Sequence, residues 1–249
     1  LPNFPMPDLP KHSHFVPFPQ TRWSIVVEAA GESPEARTAL AEICRDYWLP
    51  LYAYVRRSGF GREDAQDLTQ EFLARLLQRD VFAQADAEKG KLRTFLLVAL
   101  KHFLADRRRH DRAQKRGGGM TPIPIDCDFA ERELAAESAH GDTPEKLFAK
   151  RWAQAVLESV FDELAGEYDS SGRGRQFDVL SPYLQRNSKE AKYAEVARQL
   201  GMSEGAVKVA VYRMRKRYRA VFRARVMETV TDESELEEEI QFFFEALAG

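Results

Sequence analysis

Apolar residues recur at three- and four-residue intervals in nearly every long segment of this chain, and no two-residue alternation persists. That regularity restricts the fold to packed helices. A strand has period two and a helix a period of about 3.6, so the two cannot bury the same set of side chains. Ser33 and Pro34 suit the opening of a first long helix, with proline at the first helical position. Leu40, Ile43 and Tyr47 then mark its apolar face, and Pro50 inside the pattern predicts a kink or a break. "SGFGRED" is a turn, and "EDAQDLTQEFLARLLQ" follows with Ala65, Leu68, Phe72 and Leu76 as its buried stripe. After a second turn near "DAEKGK" comes "LRTFLLVALKHFLADRRRH", apolar at first and basic at its end. Its Thr94, Phe95, Leu96, Ala99 and Phe103 are expected in the core.

The segment "KRGGGMTPIPIDCDFAERELAAESAHGD" interrupts this pattern. Consecutive glycines and two nearby prolines break any element and mark a flexible linker. Thr143 and Pro144 open a second helical block, an N-cap followed by proline. The reading is therefore an all-α protein of two helical domains joined by a flexible linker. Residues 1–20, rich in Pro and His, read as a disordered or loosely docked tail, 21–116 as the first domain, 117–142 as the linker, 143–227 as the second domain, and 228–249 as an acidic extension. Trp23, Trp48 and Trp152 are expected as core anchors.

Charge is segregated along the chain although the formal net charge is only -2. Residues 101–116 are strongly basic, residues 205–227 carry Lys and Arg without any acid, and residues 228–249 carry acids only. Such asymmetry points to a polyanionic partner for the basic stretches. No apolar run approaches the length of a membrane span, and the N-terminal stretch has neither the basic nor the apolar part of a secretory signal. Cys44 and Cys127 stand far apart, with no CxxC or Cys/His cluster. That argues against a zinc site or a disulfide framework and suits a reducing cytoplasm. No cofactor is implied, and no membrane partner.

The stretch "YAEVARQLGMSEGAVKVAVYRMRKRYR" from Tyr193 to Arg219 has the pattern of a helix-turn-helix. Two helices crossing steeply need a small residue where their backbones approach, which Ala197 supplies. The turn needs a residue tolerant of positive φ, which Gly201 supplies. Val196, Leu200, Met202, Val207 and Ala210 close a small core, and Ser203 is a good N-cap for the second helix. That helix buries Val207, Val211, Met214 and Tyr218, while Lys208, Tyr212, Arg215, Arg219 and Arg223 lie on another face. A helix of this kind can enter a DNA major groove with its N-terminal residues against base edges and its basic remainder along phosphates. The competing reading is a solvated charged helix in an ordinary bundle. The small-residue, glycine and cap positions and the lack of acids favour DNA binding.

Three stretches in order carry a family resemblance: "YWLPLYAYVRRSGFGREDAQDLTQEFLARLLQ", "GKLRTFLLVALKHFLADRRRHDRAQKR" and the helix-turn-helix. Over roughly residues 21–226 the chain resembles bacterial RNA polymerase sigma factors of the extracytoplasmic-function group. The first block is similar to their region 2 and the helix-turn-helix to their region 4. The resemblance implies docking of an acidic helix on core RNA polymerase, through Asp64, Asp67, Leu68, Gln70 and Glu71. Asp64, Asp67 and Glu71 share one helical face, although acids in a first helical turn also suit the helix dipole.

By the same resemblance, the next helix recognises and opens the minus-10 promoter element. Lys101 and His102 would meet the melted strand, and Arg107, Arg108, Arg109 and Arg112 would hold the backbone. His102 stands where relatives often carry Asn, which leaves the recognised base open. The helix-turn-helix would read double-stranded minus-35 DNA with Ser203, Glu204, Lys208, Val209, Tyr212, Arg213, Arg215 and Arg219. Glu204 either accepts from a cytosine amino group or only caps the helix. An anti-sigma protein is a further partner of such factors.

Two rivals stand beside this reading. A nuclease site at Asp64, Asp67 and Glu71 lacks a histidine or a distant acidic motif to complete it, so no enzymatic activity is expected. A stand-alone regulator with a sensor or dimerisation domain would need neither an acidic docking helix nor a basic helix end in its first block. The acidic tail has two readings as well. "ESELEEEIQFFFEAL" forms a helix with an apolar face of Leu236, Ile240, Phe243 and Phe244. It either folds onto the second block or covers the basic recognition helix.

Overall fold

The computed structural model describes residues 33–77, 91–111, 126–137, 142–184 and 193–248. The described residues are all-helical and contain no strand. In chain order the helices are α1 (Pro34–Arg57), α2 (Arg62–Leu77), α3 (Leu92–Asp111), α4 (Cys127–Glu137), α5 (Pro144–Ser170), α6 (Gly174–Leu180), α7 (Tyr193–Leu200), α8 (Glu204–Met227) and α9 (Leu236–Ala248). Contacts divide the described chain into two units. One contains residues up to Ala155 together with Val226 onward, and the other spans Val156–Arg225. The division falls inside α5 and near the end of α8. The tail of residues 1–20, Trp23, and linker residues 117–125 and 138–141 lie outside the described residues.

Helix starts follow their capping chemistry. The amide of Ala36 donates to the Ser33 side chain at 3.0 Å, with Pro34 in the first turn. The amide of Lys146 donates to the Thr143 hydroxyl at 3.3 Å. Two expectations need correcting. Of the kink or break expected at Pro50, the break does not occur, because helix α1 runs through Pro50 to Arg57 as one element. The proline sits among buried Leu49, Leu51 and Tyr52, so packing holds the helix where one backbone hydrogen bond is missing. The stretch read wholly as linker also contains α4. The Phe129 amide donates a hydrogen bond to the Asp126 carboxylate at 2.9 Å and so caps its start.

The unit holding α1 to α4 has a core of Leu40, Ile43, Tyr47, Leu51, Leu68, Phe72, Leu96 and Leu100, with Phe72 and Phe103 rings 5.6 Å apart. Leu96 and Phe103 are buried as the periodicity predicts, but Phe95 and Ala99 are half-buried and Thr94 is exposed. Helix α4 is fastened to α1 by polar contacts. The Glu131 carboxylate accepts from Tyr52 Oη at 2.6 Å and from both Nε and Nη2 of Arg56 at 2.6 and 3.0 Å. The Arg56 guanidinium holds the Glu131 carboxyl below its ordinary range. At its far side α4 meets Arg151, almost fully buried, which donates to the Glu133 carboxylate at 2.7 Å. Trp152 is buried beside it, while Trp48 is only half-buried.

The acidic extension folds in part onto the expected second block, at Trp152, and in part onto the first block, at Arg93. Helix α9 packs in the unit that contains α1 to α4, against the start of α3 and against Trp152. Phe242 and Phe243 lie 6.0 and 5.8 Å from the Trp152 ring. Phe244, expected on the apolar face, is exposed, and Phe242 takes that role with the Arg93 guanidinium 3.4 Å above its ring. The Leu92 amide donates to the Thr229 carbonyl at 2.9 Å. Glu238 pairs with Lys91 at 2.9 Å. Glu239, fully buried, accepts from Arg93 Nε at 2.7 Å, and its second oxygen lies 3.7 Å from the Lys91 ammonium. Burial pushes the Glu239 carboxyl above its ordinary range, against the pull of Arg93 and Lys91.

Two outcomes follow for this packing. Phe243→Ala lowers stability by about 3–5 kcal/mol, and removal of residues 228–249 lowers the thermal midpoint further, read by the fluorescence of the tryptophans. A midpoint unchanged by both would contradict the packing. A carboxyl raised in the folded state binds its proton more tightly there than in the unfolded chain, so its contribution to stability declines as pH rises through the folded value. The stability of the wild type minus that of Glu239→Gln should therefore fall with rising pH in mild acid, measured by urea unfolding at each pH.

Candidate nucleic-acid interface

In the unit of residues Val156–Arg225, the face of α8 that carries Val207, Val211 and Met214 is buried against Leu164, Tyr168, Phe177, Leu180, Val196 and Ala197. Helix α7 ends in a turn at Gly201, φ +63°, where the Met202 amide donates to the Ala197 carbonyl at 2.9 Å. The Ser203 hydroxyl then accepts from the Ala206 amide at 3.2 Å and caps α8. Left-handed glycine, buried Ala197 and serine cap thus occupy the positions the sequence pattern assigned to them.

Burial of one face sets the rotation of α8 and sorts its cations. Arg215 is turned toward the protein, where Nε and Nη2 donate to the Tyr183 carbonyl at 2.9 and 2.6 Å. Arg217 pairs with Glu167 of α5, 2.8 Å from Nε to a carboxylate oxygen, and holds that carboxyl below its ordinary range. Arg225 pairs with Glu163 on the same helix. Ser203 at the cap and Glu204, Lys208, Val209, Tyr212, Arg213 and Arg219 along α8 are exposed. Lys208 stands 5.7 Å from the Tyr193 ring centroid. Of the residues expected to meet DNA here, only Arg215 departs from the exposed set. Lys216, also exposed, belongs with them. The helical period shows it: positions 209, 212 and 216 share a face opposite Val207, Val211 and Met214.

Residues expected to contact the melted strand lie on α3, in the other unit. Lys101 and His102 are exposed, and Lys101 pairs with Glu145 at 2.8 Å, which raises the lysine above its ordinary range. Arg107 is half-buried and meets Glu71 at 3.0 Å. Arg108 donates to the Ser58 carbonyl at 3.0 Å and stacks 5.0 Å from the Phe60 ring centroid. Arg109 pairs with Asp106 at 3.0 Å. Arg112 lies outside the described residues.

The acidic docking residues are divided. Asp64 and Asp67 are exposed on α2, Gln70 is half-buried and Leu68 is in the core. Glu71 is drawn into ion pairs with Arg75, 2.7 Å, and Arg107, so it does not share the open position of the two aspartates. Among the described residues no cluster of His, Cys, Asp or Glu is placed to hold a metal ion, and no helix is long and apolar enough to cross a membrane. Comparison of the chain with family models, with curated proteins and with solved structures finds no match in any of the three.

The sorting of cations makes neighbouring arginine and lysine separable. Arg215→Ala loses two bonds to a carbonyl and lowers stability by about 1.5–3 kcal/mol, whereas Lys216→Ala changes it by no more than about 0.5 kcal/mol. Gly201→Ala meets open space but a strained backbone and costs about 1–2 kcal/mol. Urea midpoints of the three variants check the ranking. Equal losses at 215 and 216 would contradict the rotation of α8.

Proposed function

We propose that the chain is a promoter-specificity factor of the sigma type, which binds core RNA polymerase, recognises promoter DNA and helps to melt the start site without catalysing a reaction. The observation that carries this reading is the exposed, acid-poor face of α8 at the head of a capped helix-turn-helix. A recognition helix needs its first two turns open to base edges and cations beside them for phosphates. The exposed pair Asp64 and Asp67 on α2 supports a second, separate contact with a basic partner surface. In this reading the two functions belong to two domains, with the α8 domain on minus-35 duplex and the α3 domain on the melted minus-10 strand. Lys101 and His102 are the exposed candidates for the melted strand. Core polymerase is the obligatory partner, and a cytoplasmic setting follows from it.

The test is reconstitution of the full chain with bacterial core polymerase on a genomic promoter library. Transcript starts that appear only with this protein are expected. Paired charge reversal, Asp64→Lys with Asp67→Lys, should weaken core binding by at least about tenfold without changing duplex affinity. Sequence-specific duplex binding with no core binding and no initiation would instead describe a stand-alone regulator. Inhibition of core without initiation would describe a sequestering protein.

A further inference from the structure

The outward face of α8 is not uniformly polar. Val209 is 48% exposed and Tyr212 66% exposed, one helical turn apart, and both belong to the few large apolar side chains left in solvent among the described residues. A single exposed valine is ordinary on a protein surface. These two differ in their setting, because Lys208, Arg213 and Lys216 surround them and no acid follows Glu204 along the helix. Charge complementarity thus commits the face to a polyanion, and the apolar pair must have a partner on that polyanion.

Valine carries no hydrogen-bonding atom in its side chain. In the major groove all four bases offer donors or acceptors, and thymine alone adds a methyl group, at C5. A valine pressed into that groove therefore discriminates through that methyl. Resting on the duplex reading proposed above, we propose that Val209, flanked by the Tyr212 ring, reads a thymine methyl and makes thymine a determinant of the bound sequence. The cations beside it hold phosphates or guanine edges and set the register in which valine meets the base. Glu204, a full turn and more ahead on the helix, reads a different base pair or none.

The experiment uses the full chain, both free and bound to core polymerase, and duplexes enriched by it from a random pool. In an enriched duplex each thymine is replaced singly by deoxyuridine, which removes the methyl and leaves base pairing intact. Affinity should fall about three- to fivefold at one or two adjacent positions, the value of one buried methyl group. Val209→Ser should bind thymine and uracil forms equally at those positions, with an unfolding midpoint equal to that of the wild type. Specific enrichment without any uracil-sensitive position, or sensitivity that persists in Val209→Ser, overturns the valine assignment and leaves duplex reading intact. No sequence-specific enrichment overturns duplex reading itself, and the valine assignment with it.

Discussion

Burial of Val207, Val211 and Met214 sets the rotation of α8 about its own axis, and that rotation decides what each cation on the helix can do. Arg215, Arg217 and Arg225 fall where a carbonyl or a carboxylate of the protein awaits them. Lys208, Arg213, Lys216 and Arg219 fall in solvent. Basic residues of similar composition thus divide into a structural set and an open set. The dividing force is the removal of apolar surface from water, worth about 1.5–3 kcal/mol for each fully buried side chain of this size. Ion pairs of exposed residues, at about 0–1 kcal/mol each, could not impose that rotation by themselves.

In the unit of α1 to α4 and α9, polar contacts specify which helices meet. Glu131 gathers Tyr52 and Arg56 on one carboxylate, and Glu239 lies buried between Arg93 and the Lys91 ammonium. Desolvation of such charges offsets much of their attraction, so their net contribution to stability is small while removal of one partner is costly. Trp152, Phe242 and Phe243 supply the apolar burial around the second of these clusters. Acids that look like a solubilising tail in the sequence thereby become part of a core boundary.

The same accounting separates the docking acids from one another. Asp64, Asp67 and Glu71 share a helical face on paper, yet α3 brings Arg107 to Glu71 and leaves the aspartates exposed. A helical wheel knows only one helix. It cannot register the neighbour that neutralises one of its charges.

The helix-turn-helix was legible because its determinants are local. Gly201 supplies a positive φ, Ser203 caps with its own hydroxyl, and Val207 and Val211 lie one turn apart. The all-helical class was legible for the same reason, as a period in the apolar residues. The linker was misread where composition hid a short helix, since α4 is held chiefly by partners far along the chain, Tyr52, Arg56 and Arg151. The place of the acidic helix, the continuity of α1 through Pro50 and the pairing of Glu71 were likewise decided only by tertiary structure. Sequence determined each local conformation through backbone sterics and periodic burial. Which charge meets which, and which face remains in water, depended on contacts between residues that no spacing rule relates.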